Sequence, residues 1–170
     1  MLDIVNSDAT QERARNLNAL FAGKQIADTY TPGALRNTVA FTDGTHVTIN
    51  AATILPGGAT APADNKALAV DADNFTNSDD ERYKKHDSGR VVRAWVETTS
   101  AFENTNGMSV PQVTRTITLW VLTENNLRPE KIAELTGEYA AHSSMKPTLI
   151  LETGDGAIIN AADAALDPQW

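Results

Sequence analysis

Histidines, acidic pairs, glycine turns and one basic stretch are the places in this sequence where chemistry would have to reside. His46, His86 and His142 lie far apart, with none of the close pairings that metal sites use, so none is expected to be a ligand. Gly154-Asp155-Gly156 has the outline of a phosphate or calcium loop. It lacks the further glycines, the Lys-Ser/Thr pair and the spaced carboxylates such loops need, and reads as a turn. Asp79, Asp80 and Glu81 would serve acid/base chemistry only if burial shifted a pKa, and their polar surroundings predict solvated charge. No Gly-x-Ser-x-Gly elbow occurs, and the absence of cysteine removes thiol nucleophiles, thiolate metal sites and disulfides. The expectation is a protein that is not an enzyme and takes no metal or cofactor.

Binding chemistry has more to work with. Arg82, Lys84, Lys85, Arg90 and Arg93, with His86 among them, gather five of the fourteen Lys and Arg into one stretch. Asp79, Asp80, Glu81 and Asp87 sit in the same stretch, so a solvated hairpin end explains it as well as a phosphate-binding patch does. The whole chain carries a formal charge of −8, which excludes bulk attraction to polyanions and makes any nucleic-acid contact local. Trp95 and Trp120 lie on two β-branched-rich runs. Half-buried strand tryptophans usually pack, but one beside Arg93 on a polar sheet face has the chemistry to stack on an unpaired base.

These residues need a scaffold, and 170 residues suffice for a single domain. Aromatics make up only 6% and alanine supplies much of the apolar count, so the expected core is thin and association with other subunits is expected to support it. The opening Met1-Leu2-Asp3-Ile4-Val5-Asn6 has no basic segment followed by an apolar run, and no stretch approaches the ~20 apolar residues of a membrane span. Neither secretion nor a membrane partner is expected.

The pattern along the chain predicts a helical arm within residues 1–36, with the helix over 8–28 on Leu17, Leu20 and Phe21 and a capping pair of Asp8 and Gln11. A second unit, 37–170, follows. Its hairpin, 37–54, turns at Asp43-Gly44; its sheet, 66–123, takes a weak strand at 66–71 and two strong ones at 90–99 and 110–123. In the last of these, Thr114, Thr116 and Thr118 alternate with Val113, Ile117, Leu119 and Val121. In the strand before it, Val92, Ala94 and Val96 are expected on the covered face and Arg93, Trp95, Glu97 and Thr99 on the polar one. Pro129 and the spacing of Ile132, Leu135 and Tyr139 then predict a helix over 129–143, and a last helix is expected over 156–166. Thr148-Leu149-Ile150-Leu151 is apolar and ambiguous. The predicted class is α+β: an N-terminal hairpin, an antiparallel meander and two C-terminal helices, with the extra helical arm in front.

Val113-Thr114-Arg115, the helix-start pattern Leu127-Arg128-Pro129-Glu130, and the ending Ile158-Ile159-Asn160-Ala161-Ala162-Asp163-Ala164-Ala165-Leu166-Asp167-Pro168-Gln169-Trp170 together resemble the levivirus-type coat proteins of single-stranded RNA bacteriophages. The resemblance covers roughly residues 37–170. The first ~36 residues are an addition to the family pattern, and Met145 to Glu152 lengthens the link between its helices. It implies an intertwined homodimer, sheet joined to sheet across a twofold, with each subunit's helices over the other's sheet. Such dimers would assemble into an icosahedral shell around genomic RNA, in a virion built in the bacterial cytoplasm. It further implies an RNA-binding sheet face, in relatives also a translational repressor, matched here by Lys84, Lys85, Arg90, Arg93, Thr116 and Thr118. Ile132, Leu135 and Tyr139 would lie at the dimer interface. The rival expectation is another self-associating phage structural module, from a tail, baseplate or fibre.

Overall fold

Alternation governs this chain far more than helical periodicity does. The computed structural model describes residues 8–33, 36–54, 60–62, 70–71, 83–85, 89–103, 111–143 and 145–161. Among these, one helix, α1 (Asp8–Phe21), precedes eleven strands. They are β1 (Ile26–Gly33), β2 (Arg36–Phe41), β3 (His46–Ile54), β4 (Thr60–Pro62), β5 (Val70–Asp71), β6 (Tyr83–Lys85), β7 (Val91–Glu103), β8 (Gln112–Thr123), β9 (Asn126–Ala140), β10 (Pro147–Thr153) and β11 (Ile158–Asn160).

The strands form two antiparallel sheets. A seven-stranded sheet runs β11-β10-β3-β2-β1-β6, with β4 also paired to β3, and a four-stranded sheet runs β5-β9-β8-β7. One apolar cluster joins them: Val39, Phe41, Val47, Ile49, Leu149 and Leu151 from the larger sheet meet Ala94, Val96, Ile117, Leu119, Val121 and Leu135 from the smaller. Two sheets each burying one face in a shared core is the sandwich solution. Arg115 Nη1 donates to the Pro147 carbonyl at 3.2 Å across the gap. At one corner the Gly23 and Val91 backbones exchange bonds with Val91 and Lys24 at 2.8 Å each, and Gln25 bridges Arg90.

The predicted hairpin is present, with β2 and β3 paired from Arg36↔Asn50 to Ala40↔His46 around Asp43-Gly44. Gly44 has φ 87°, the left-handed conformation that favours glycine in such a turn. The β8 faces are also as expected: Val113, Ile117, Leu119 and Val121 are buried and the threonines lie opposite. In β7 the expectation needs one amendment. A bulge between Val91 and Arg93 places Val91 inward beside Ala94 and Val96, and leaves Val92 57% exposed.

The predicted α+β class with two C-terminal helices is wrong. Residues 126–140 are strand β9, paired with β8 from Gln112↔Ala140 to Thr123↔Asn126. The misleading signal was the spacing of Ile132, Leu135 and Tyr139. Ala133, Leu135, Gly137 and Tyr139 alternate on one side, and a register shift between Leu119 and Trp120 brings Ile132 inward too, mimicking a helical stripe. Thr136-Gly137 is also poor helix-forming material. Where the last helix was expected, Ile158–Asn160 pairs with β10 instead, and 162–166 lie outside the described residues. The ambiguous run at 148–151 is the body of β10, buried on both faces. Such near-continuous apolar runs are what a central strand requires.

The extra helical arm is likewise corrected. The helix stops at Phe21, and Leu17 and Phe21 are wholly buried in the shared core. Phe21 meets Phe41 edge to face at 5.7 Å between ring centroids. Residues 26–33, assigned to the arm, are strand β1 of the larger sheet, between β2 and the edge strand β6. Of the weak strand at 66–71, 66–69 lie outside the described residues, and Val70–Asp71 pairs with Leu135 and Glu134. The acidic run 79–81, Arg82 and His86 also lie outside them.

Candidate nucleic-acid interface

The outer face of the four-stranded sheet is built by alternation, since residues two apart on a strand share a face and antiparallel partners line up across it. It carries Arg93, Trp95, Glu97 and Thr99 from β7, then Thr114, Thr116, Thr118 and Trp120 from β8, then Lys131, Glu134, Thr136 and Glu138 from β9.

Read across the strands, these side chains form rows of different character. One row is Trp95, Trp120 and Lys131. The Arg93 guanidinium lies 5.3 Å from the Trp95 ring centroid, a cation–π contact that holds it beside the row. Trp120 Nε1 is buried with no hydrogen-bond partner. The next row is Glu97, Thr118 and Glu134, and beyond it come Thr99, Thr116 and Thr136. Thr118 Oγ1 donates to Glu134 Oε2 at 3.3 Å, and Lys131 Nζ lies 3.9 Å from that same oxygen. The Thr116 and Thr136 hydroxyls are 3.3 Å apart.

The face is therefore electrostatically divided. Arg93 and Lys131 lie at the end near the β8–β9 turn, and Arg90 and Arg128 are exposed at that same end, cations in excess of Glu124, the one exposed turn carboxylate there among the described residues. Glu97, Glu134 and Glu138 occupy the remainder. A polyanion is drawn to the first region and repelled by the second.

Of the expected RNA-binding residues, the structure brings Arg93 onto the outer face, with Arg90 at its margin, where the Arg90 amide donates to Glu124 Oε2 at 3.1 Å. Thr116 and Thr118 share that face but stand beyond and within the acidic row respectively, with hydroxyls already engaged and Thr118 only 6% exposed. Lys84 and Lys85 are elsewhere, on β6 at the edge of the other sheet, opposite Thr29 and Asp28. The expected dimer residues Ile132 and Leu135 lie in the intramolecular core, and Tyr139 is partly buried with Lys146 Nζ 5.8 Å from its ring centroid. Trp120 and Lys131 were not expected as partners. The alternation already exposed Trp120 as a neighbour of Thr118, but Lys131 was hidden by the helical reading of β9.

Elsewhere, two carboxyls in turns are held low. Hydrogen bonds from the Thr45 hydroxyl and amide hold the Asp43 carboxyl below its ordinary range, as the Thr153 hydroxyl and Ala157 amide do for Asp155. Exposed His46 packs against Gly154, and among the described residues no group of three or more His, Asp and Glu is placed to hold a metal. No described helix is long and apolar enough to cross a membrane.

Fold and face together define a two-sheet antiparallel protein with a mixed aromatic and basic strip on one outer face. No protein-family model, curated protein or solved structure matches the chain.

Proposed function

We propose that this chain is a self-associating structural subunit of a particle that packages single-stranded RNA, in its most specific form a small RNA bacteriophage coat protein. The reading places it in the virion, assembled in the bacterial cytoplasm, with copies of itself and genomic RNA as partners. The observation that supports it most is the strip in which Arg93 stacks on Trp95 beside Trp120 and Lys131. Unpaired bases stack on aromatic faces while neighbouring cations meet the backbone, and neither contact demands a particular sequence. A hairpin-repressor role has less support, because the Thr116 and Thr118 hydroxyls it would use are occupied within the sheet.

The second reading is a tail, baseplate or fibre module. It is favoured by the two-sheet architecture and by strand β9 standing where the resemblance calls for a helix. Electron microscopy of the purified protein, with its nucleic-acid content measured on the same fractions, decides between them. Closed shells containing RNA support the coat protein; tubes or rings without RNA support the second reading, and small monodisperse species overturn both.

A further inference from the structure

Stacking on a ring beside a cation leaves the identity of a base unread, but Trp95 has a second kind of neighbour. It stands between Arg93 and Glu97, two residues before and two after it on β7, and all three share the outer face. Arg93 holds one flank, with its guanidinium 5.3 Å from the ring centroid. Glu97 holds the other and is exposed. Four residues of extended strand set their Cα atoms about 13 Å apart, a span that one nucleotide bridges when its base covers the ring between them. An anion belongs at the first end and hydrogen-bond donors at the second.

The two glutamates of the adjoining row are not equivalent. Glu134 Oε2 accepts from Thr118 Oγ1 at 3.3 Å and lies 3.9 Å from Lys131 Nζ. Thr118 stands between the two glutamates across the sheet, and its hydroxyl is turned to Glu134 rather than to Glu97. Beside Trp120 the position that Glu97 takes beside Trp95 belongs to Thr118 itself, which is buried. The strip therefore has one place that can read a base, at Trp95, and one that only stacks it, at Trp120.

We propose that the Trp95 subsite selects an unpaired guanine, with Glu97 as the residue that determines this specificity. The proposal rests on the RNA-binding reading above and adds a base preference to it. Guanine alone among the four bases carries two adjacent donors on its Watson–Crick edge, N1–H and the N2 amino group, and a carboxylate accepts both at once, one on each oxygen. Cytosine and adenine offer one amino group beside a ring-nitrogen acceptor, and uracil offers one N–H between two carbonyls. Each of these sets a lone pair against the carboxylate. The phosphate then falls toward Arg93, with Arg90 and Arg128 exposed at that same end. A guanine already paired has no edge left for Glu97, so the same contact favours single strands over a duplex. Trp120 takes the neighbouring base, whatever its identity.

Labelled hexanucleotides that differ at one base test this by fluorescence anisotropy on the purified full chain. UUGUUU should bind at least about fivefold more tightly than UUUUUU, the discrimination expected of a bidentate base contact. Inosine in place of the guanosine lacks the N2 amino group and should lose most of that ratio. Glu97→Gln exchanges one acceptor oxygen for a donor and should bring the ratio to about one. Glu134→Gln removes the same charge from the same row, and should change both affinities together while keeping the ratio. Equal binding of the two hexanucleotides to the wild type, or a ratio retained in Glu97→Gln, overturns the guanine assignment and leaves the RNA reading standing. Failure of the wild type to bind either strand sinks that reading and this one together. Unlabelled GMP has no second base for Trp120, so it should displace labelled UUGUUU only at concentrations at least about tenfold above those of the unlabelled strand. Displacement at equal concentration would overturn the strand as the ligand and assign the subsite to a free nucleotide.

Discussion

The Ala94 amide donates to Asn18 Oδ1 at 2.9 Å, so a helix side chain takes the place that a neighbouring strand would otherwise fill. This bond fixes α1 against β7, and the burial of Leu17 and Phe21 anchors the helix beside it. Asn18→Ala leaves a partly buried donor without its acceptor, which costs about 1–3 kcal/mol. Urea unfolding should show that loss, and hydrogen exchange should show faster exchange at Ala94. Unchanged exchange there would mean that the helix does not guard the edge.

Leu135 faces Ile117 across the β8–β9 ladder, and both are fully buried between the sheets. Leu135→Ala should therefore destabilise the subunit itself by about 2–5 kcal/mol in denaturant titrations, with Glu134→Ala as a surface comparison. The loss should be the same at every protein concentration. A loss that appears only where subunits are associated would return Leu135 to an interface between copies.

The legible parts of this fold were those where one physical signal stood alone. Asp43-Gly44 between two alternating runs could hardly be anything but a hairpin, and Thr114, Thr116 and Thr118 interleaved with valine, isoleucine and leucine gave β8 and its faces. The β9 error came from two signals superposed: the bulge near Ile132 gave a strand the spacing of a helix, and Pro129 resembled a helix start. The candidate interface suffered in turn. Arg93 and Trp95 were legible as strand neighbours, but Lys131 joins them only through the β8–β9 register. Lys84 and Lys85 are near Arg90 in sequence, yet they belong to a different sheet, a separation that local sequence does not encode.

Gly89 offers a sharp test of the corner where the sheets meet. Its φ is 79°, and a Cβ there would lie 2.9 Å from Asn125 Nδ2 and 3.1 Å from Glu124 Oε2, the oxygen that accepts from the Arg90 amide. Gly89→Ala combines left-handed strain with that crowding and should cost more than about 1 kcal/mol. Thermal melts of Gly89→Ala and Gly23→Ala, whose added Cβ meets nothing within 4 Å, should separate the crowding from the strain they share.

The hairpin turn should titrate. The Thr45 hydroxyl and amide donate to Asp43 and, with a smaller contribution from Lys24 Nζ at 3.8 Å, hold its carboxyl below the ordinary value of 3.8. A carboxyl whose pKa is lowered by folding adds stability above its unfolded value, and that contribution disappears as the pH falls through the folded value. Asp43→Asn should therefore melt below wild type at neutral pH, with the gap closing as the pH drops below about 4. A gap independent of pH would mean that the turn depends on shape rather than on the charge.

The aromatic strip carries the last prediction. If unpaired bases stack on Trp95 and Trp120, Trp95→Ala should weaken binding of a short oligouridylate by about 1–3 kcal/mol, because one stacking surface is lost. Arg93→Ala removes a cation rather than a ring, so its mark should be a salt dependence flatter by about 0.7 in log–log slope for one phosphate contact on a single strand. Thr116→Val should bind like wild type, since the Thr116 hydroxyl is turned to Thr136 beyond the acidic row. The double substitution Lys84→Ala and Lys85→Ala should also bind like wild type, because β6 belongs to the other sheet. Fluorescence anisotropy at several salt concentrations measures all four. The opposite pattern, with Trp95→Ala unaffected and the lysine pair required, would move the interface to the β6 edge and leave the stacked Arg93–Trp95 pair as packing alone.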